Sequence, residues 1–188
     1  MEEIIFVTHN KGKIATAQKH LKNAKVSIYE YELDEIRSDS VEEIAKHKVL
    51  QAYNVTHKPC IAMDSGFFIE ALDGFPRTFV NFALETVKLD GILKLLEGKE
   101  NRNAKFLECL AYYDGKDIKY FYGESKGKIA MQKEGMDSSK KWSDLWYIFI
   151  PNGHDKTMAQ MTDEERARKN ELDGSTSSLE EFAKWINN

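Results

Sequence analysis

Cysteine is scarce in this chain: two residues, Cys60 and Cys109, among 188. Each lies inside an apolar run, and no CxxC or Cys/His cluster is present, so neither a disulfide framework nor a zinc site is encoded. Both read as reduced core thiols. Proline is nearly as rare, at three residues, and the 11 glycines are scattered. No Pro/Gly/Ser-rich hinge, low-complexity tract or internal repeat divides the sequence. No apolar run approaches the ~20 residues that a membrane-spanning helix needs. The opening, Met1-Glu2-Glu3-Ile4-Ile5-Phe6-Val7, is acidic where a signal peptide is basic, so a soluble, cytoplasmic protein is expected. A basic excess is missing as well. Lys and Arg total 27 against 31 Asp and Glu, a net charge of −4, which argues against a nucleic-acid partner. Phosphate groups can still bind where a few lysines and backbone N–H groups converge.

What is present is a foldable composition, 41% hydrophobic and 31% charged, with a length suited to one well-cored domain over residues 1–188. Glu3 to Thr8 reads as a buried strand and Lys13 to Leu21 as a helix. Val26 to Tyr31 alternates as a second strand. Ser40-Val41-Glu42-Glu43 fits a capping box that opens a helix ending near His57-Lys58-Pro59. Cys60 to Met63 and Phe67 to Ala71 read as two strands, with a turn at Asp73-Gly74-Phe75-Pro76. Phe79 to Glu97 is helical in period, with an interruption near Asp90-Gly91. Ala104 to Tyr113 and Ile118 to Tyr122 form a hairpin across Asp114-Gly115-Lys116. Gly127 to Gln132 and Trp146 to Ile150 read as further strands. Thr162 to Glu165 and Ser178 to Glu181 are capping boxes for the last helices. The order βαβαβ, then a mostly antiparallel stretch, then helices, predicts an α/β (or α+β) domain with a mixed sheet.

Four segments carry residues suited to chemistry. Thr8-His9-Asn10-Lys11-Gly12-Lys13 leads from a strand into a helix, where free N–H groups, small polar side chains and lysines make a phosphate cradle or an ordinary polar turn. It is not a Walker A loop. Glu43 and Lys48 lie about 140° apart around one helix. They can flank a site, but Glu43 is equally suited to its capping-box role and Lys48 to a solvated face. Asp64, with Ser65 and Gly66, sits at the carboxyl end of an apolar strand, where open α/β sheets place ligand groups. It can hold a hard cation or activate water, or simply form a turn. Lys140-Lys141-Trp142-Ser143-Asp144-Leu145-Trp146-Tyr147 offers rings that can stack on a base and an Asp that can read its edge. Trp146 and Tyr147 read better as core strand residues, and Trp142 is left open.

Taken in order, these segments resemble the inosine triphosphate pyrophosphatase family, over nearly the whole chain. Phe6 to Lys13 is similar to the family's Thr-Gly-Asn-x-x-Lys opening, and Glu43 to Lys48 to its Glu-x-x-x-x-Lys helix. Ala62 to Phe67, followed by Leu72 to Pro76, is similar to its acidic-Asp-Ser/Thr strand and Leu-Gly-Gly-x-Pro-Gly turn. Ile148 to Gly153 and Lys156 to Met161 are similar to Ile-Phe-x-Pro-x-Gly and Lys-Thr-x-Ala-Glu-Met. The resemblance implies a central mixed sheet flanked by helices, a cleft between two lobes, and a homodimer. It implies hydrolysis of a non-standard purine nucleoside triphosphate to monophosphate and pyrophosphate with Mg²⁺ (or Mn²⁺). Glu43 and Asp64 would hold the metal. Asp64 would act on the water that attacks the α-phosphorus. Thr8, Asn10, Lys13, Lys48 and Ser65 would contact phosphate oxygens, with Lys13 taking part in catalysis. Trp142 and Asp144 would meet the base.

The chain also departs from the family. Thr16 and Met63 stand where it carries carboxylates, Arg77 where it has glycine, and Phe79 where it has tyrosine. Its Phe-Gly-Tyr/Trp-Asp-Pro motif is scrambled into Trp142 to Trp146. Its Ser-His-Arg motif is absent near Lys169-Asn170-Glu171. These changes lead to the expectation of an altered or relaxed choice of base. They leave two alternatives, a nucleotide-binding protein with little turnover and a hydrolase of a different modified nucleotide.

Overall fold

The computed structural model describes residues 3–21, 25–137 and 141–187. Lys140 of the aromatic segment lies outside them. Strand β1 (Ile4–Val7) is four buried apolar residues. Helix α1 (Lys11–His20) starts two residues earlier than its apolar period suggests, because Asn10 is its N-cap and accepts from the Lys13 N–H at 3.0 Å. After β2 (Val26–Tyr29) comes α2 (Val41–Thr56). Ser40 caps α2 by accepting from the Glu43 N–H, and His57 closes it in a left-handed conformation. The other half of the expected capping box is replaced, since the Glu43 carboxylate accepts from the Ser38 hydroxyl at 2.5 Å.

The two strands expected at Cys60 and Phe67 are one, β3 (Cys60–Ile69). Asp64-Ser65-Gly66 does not break the strand. Gly66 lies so close to the Arg77 carbonyl that a β-carbon there would sit 3.0 Å from it, and β3 pairs onward with β4 (Pro76–Arg77). Arg77, at the family's glycine position, has φ +58°, a left-handed conformation in which glycine is less strained. The helical run then divides into α3 (Val80–Thr86) and α4 (Lys88–Leu95). The break falls at Lys88, with φ +60°, not at Asp90-Gly91.

The hairpin pairs β5 (Asn103–Tyr113) with β6 (Ile118–Ile129), which absorbs the start of the strand expected at Gly127. Asp114 fastens its turn by accepting from the N–H groups of Lys116 and Asp117, both at 2.9 Å. Trp146 and Tyr147 belong to a 3₁₀ turn, Asp144–Tyr147, rather than a strand, and β7 (Phe149–Pro151) follows. Helix α5 (Asp163–Asp173) opens on the complete Thr162/Glu165 capping box. Helix α6 (Ser178–Ile186) is preceded by Ser177 as N-cap, without the box expected at Ser178. The mixed seven-stranded sheet runs β2-β1-β3-β5-β6-β7, with β4 on β3. The β1 strand is parallel to both β2 and β3, and β7 is antiparallel to β6.

The chain divides into two compact units. The first holds residues 1–65, 108–123 and 177–188. In its core, Ala45, Val49 and Ala52 of α2 pack on Ile5, Val7, Cys60, Ala62, Cys109 and Ala111. Burial pushes both thiols up to about 12, which fits core cysteines. Because strand residues alternate between faces, Tyr112 projects from the opposite side and meets Phe182 and Trp185 of α6. Helix α6 also contacts α1. The sheet of this unit is therefore covered by α2 on one face and by α1 with α6 on the other.

The second unit holds residues 66–107 and 124–176. The rings of Phe67, Phe106 and Phe149 meet at centroid distances of 4.5 to 5.6 Å. Ile92 and Leu96 of α4 and Leu145, Ile148, Met158 and Met161 complete the core. The Arg102 guanidinium donates to the carbonyls of Leu96, Ile129 and Ala130. It thereby satisfies backbone acceptors that lie outside regular pairing. Among the described residues, no helix is long and apolar enough to cross a membrane.

Candidate active site

The site assembles in the first unit, at the carboxyl end of β1 and midway along β3, where Asp64 lies. Thr8 follows β1, and its hydroxyl accepts from the Asn10 N–H at 3.2 Å. The Thr8 and Asn10 side chains thus build the entry to α1. They aim its first turn so that Lys13 sits inside the protein, 9% exposed, with Nζ donating to the Met63 carbonyl at 3.4 Å. Where the resemblance expects a carboxylate side chain, Met63 supplies a main-chain oxygen.

On the α2 face lies an ion-paired group. Lys48 Nζ donates to Asp64 Oδ1 at 2.8 Å and also to Glu35 Oε1. Lys48 and Asp64 are 8% and 5% exposed. Asp64 reaches this face because it shares its side of β3 with Cys60 and Ala62. Burial pulls the Lys48 ammonium down. The charges and hydrogen bonds of Asp64 and Glu35 outweigh that, and the net shift is upward. Lys13 shifts the other way. Burial is the chief cause and the charge of Lys48 adds to it, while Asp64, Glu108 and Glu35 pull back only in part.

Asp64, Lys48 and Lys13 are thus brought into one electrostatic group, with Thr8 and Asn10 shaping its loop. Ser65 is partly buried next to Asp64 on β3. Glu43 is exposed, bonded to Ser38, and outside the ion-paired group. The carboxylate that does join Lys48 and Asp64 is Glu35, which motif reading missed. It lies in the irregular segment between β2 and α2, where no periodicity marks it. Trp142 and Asp144 fall in the second unit. Asp144 is exposed and ion-paired to Lys141 at 2.8 Å. Lys141 also bonds Asp137, and its ammonium lies over the Tyr147 ring. These partners hold Lys141 well above its usual range. Trp146 is covered by the Arg166 guanidinium, 5.6 Å from the ring centroid.

Among the described residues no group of three or more His, Cys, Asp or Glu side chains is poised around a common point. Two carboxylates on one cation are what the structure shows. That matches the chemistry of Mg²⁺, which keeps waters and takes one or two carboxylates together with substrate phosphates. Asp64 and Glu35 already bracket a positive charge, the Lys48 ammonium, so their oxygens suit a hard cation.

Known proteins resemble this chain over nearly its whole length. The Ham1 family model matches residues 4–185. A protein of Thermococcus kodakarensis named dITP/XTP pyrophosphatase is 37% identical over 185 residues, covering 97% of this chain and 96% of its own. One of the same name from Saccharolobus solfataricus is 38% identical over 168 residues, covering 86% and 83%. The solved structure of a HAM1 protein from Coxiella burnetii shares the fold, with a TM-score of 0.81 at 23% identity, covering 100% of this chain and 99% of that one. The Staphylococcus aureus Ham1 protein has a TM-score of 0.78 at 23% identity, covering 99% and 98%. The family model over residues 4–185 and relatives 37–38% identical over most of their length show that this chain belongs to the Ham1 family.

Proposed function

We infer that this protein is a nucleoside triphosphate pyrophosphohydrolase that releases pyrophosphate and a monophosphate from a non-standard purine nucleotide. The observation that carries the reading is the buried Lys48–Asp64 pair with Glu35 beside it and Lys13 behind. Two ammonium groups and a helix amino terminus converge where negative charge must be held. The named activities of the Thermococcus and Saccharolobus relatives supply the substrate class.

In this reading the Thr8-to-Lys13 loop receives the triphosphate. Its small side chains and the N–H groups of the first turn of α1 donate to phosphate oxygens. Lys13 and Lys48 neutralise the charge that grows on the leaving pyrophosphate. Asp64 and Glu35 would hold Mg²⁺ (or Mn²⁺), which supplies charge neutralisation and lowers the pKa of a bound water. Asp64 orients the attacking water and takes its proton, as its acceptor oxygens are fixed by Lys48. Ser65, next along β3, donates to a phosphate in this reading. The enzyme acts as a homodimer in the cytoplasm. Trp142 and Asp144 contribute to base recognition, which the altered segment around them relaxes.

The metal assignment separates two glutamates. Glu35→Gln is expected to raise the Mg²⁺ concentration for half-maximal activity by about tenfold, within the range for losing one partner of a metal site. Glu43→Gln, which loses only a bond to Ser38, is expected to change it less than about threefold. A metal titration of pyrophosphate release compares them. The reverse ranking returns the metal to Glu43.

A further inference from the structure

The Glu35 carboxylate reaches Lys48 from a segment without regular structure. Residues 30–40 join β2 to α2 with neither helix nor strand. The Glu35 side chain is about half exposed, yet it holds one position on the Lys48 ammonium. A solvated carboxylate on an irregular segment gives up backbone and rotamer freedom to keep one ion-pair geometry. The segment therefore needs a hold of its own.

Helix α2 supplies that hold through Gln51. Its Oε1 accepts from the Asp34 N–H at 3.1 Å, and its Nε2 donates to the Asp34 carbonyl at 2.8 Å. One side-chain amide thus meets both peptide groups of one residue, as an antiparallel strand does for a hydrogen-bonded partner. Gln51 Nε2 also lies 2.8 Å from His47 Nδ1. An amide nitrogen only donates, so the imidazole nitrogen accepts. With Oε1 and Nε2 both committed, the amide has a single orientation. Leu33, just before Asp34, is buried in the core cluster that holds Ala45, Val49 and Ala52 of α2. The spacing completes the device. Gln51 follows Lys48 by three residues, so the two are neighbours one turn apart on α2. Asp34 and Glu35 are consecutive in the segment. A helix rises about 4.5 Å over three residues, and an extended residue spans about 3.3 Å. Fastening Asp34 to Gln51 therefore delivers Glu35 to Lys48.

We propose that Gln51 is a positioning residue of the site: by clamping the Asp34 peptide groups to α2, it fixes the Glu35 carboxylate against Lys48 and beside Asp64. This inference rests on the pyrophosphohydrolase reading for its purpose, though not for its geometry. Gln51 touches neither Glu35 nor the phosphates. It acts through the backbone, so that Glu35 is already in place when a divalent cation arrives and no ordering of the segment is then required. Asp64 needs no such device, because β3 and its burial fix it.

The test is a double-mutant cycle of Gln51→Leu and Glu35→Gln, read by NMR in nucleotide-free, EDTA-treated protein. In Gln51→Leu the Asp34 amide should exchange with solvent about tenfold faster, as for a lost hydrogen bond, with the Val49 amide inside α2 unchanged. The Lys48 ¹⁵Nζ resonance should move as it does in Glu35→Gln. The double variant should move no further than Glu35→Gln alone, because both changes act through one contact. If Gln51→Leu fails to fold, Gln51→Asn, which keeps the amide on a shorter stem, should give the same pattern more weakly. An unmoved Lys48 resonance, or an Asp34 amide that exchanges no faster, overturns the proposal. So does a double variant whose shift is the sum of the single ones, since Gln51 would then act on Lys48 through α2 and not through Glu35. In active protein, Gln51→Leu should raise the Mg²⁺ concentration for half-maximal activity by about five- to tenfold, and adding it to Glu35→Gln should change nothing more. Because the NMR cycle uses neither nucleotide nor metal, a wild-type protein without turnover would overturn the function and leave the Gln51 result standing.

Discussion

Asp64→Asn is expected to cut turnover by about 10³-fold, near 4 kcal/mol of transition-state stabilisation, while the fold survives. The reasoning starts from the Lys48 contact. Asparagine is nearly isosteric and its oxygen can still accept from Lys48, which keeps Glu35 as a charged partner. A charged acceptor becomes a neutral one, a loss of about 1 kcal/mol. For a domain of this size that lowers the melting temperature by about 2–4 °C. What asparagine cannot do is take a proton from water or give a cation a full negative charge. Steady-state pyrophosphate release and calorimetry on the same sample check both halves. Intact activity would remove Asp64 from the chemistry. A collapse in melting temperature with proportionate loss of activity would make it a structural residue.

Lys48→Met should damage both stability and activity. Lys48 and Asp64 have side chains only 10% and 8% exposed. Removing one partner of such a pair leaves the other buried and uncompensated, at a cost of about 3–5 kcal/mol. That corresponds to roughly 6–20 °C in melting temperature. Glu35 is about half exposed, so water screens its share and the Asp64 contact dominates. Activity should fall by about 10³-fold, because a fixed cation facing the phosphates is lost. The variant also carries a distinctive signature. With the ammonium gone, Glu35 and Asp64 bracket a site without its cation, and millimolar Mg²⁺ should recover part of the melting temperature. Wild-type protein should respond less. Unchanged stability in Lys48→Met would show that the pair is not formed in solution.

The first half of the fold was readable because its signals are local. Ser40 marks a helix start, and Ile44, Ala45, Val49 and Ala52 mark one buried face. The order of loop, helix and strand residues sufficed to place Lys13, Lys48 and Asp64. Errors arose where strand pairing or a capping side chain overrides residue composition. Asp64-Ser65-Gly66 has a turn composition, yet β3 runs through it and pairs with β4 just beyond, at Phe67 and Phe68. Trp146 and Tyr147 have strand composition, yet the Ser143 cap winds them into a 3₁₀ turn. Glu35 was missed because it reaches Lys48 from 13 residues away, through an irregular segment without periodicity.

The central claim is hydrolysis at the α-phosphorus. It is tested most directly by incubating the protein with Mg²⁺ and dITP, XTP, ITP or ATP in ¹⁸O-water and resolving the products by ³¹P NMR. The account predicts pyrophosphate and monophosphate in equal amounts, with the ¹⁸O in the monophosphate and no reaction in EDTA. Turnover of ITP and ATP at comparable rates would support a relaxed choice of base, whereas a preference for ITP of about a hundredfold or more would remove that part alone. Orthophosphate and diphosphate as products, or no product from folded protein, would contradict the account.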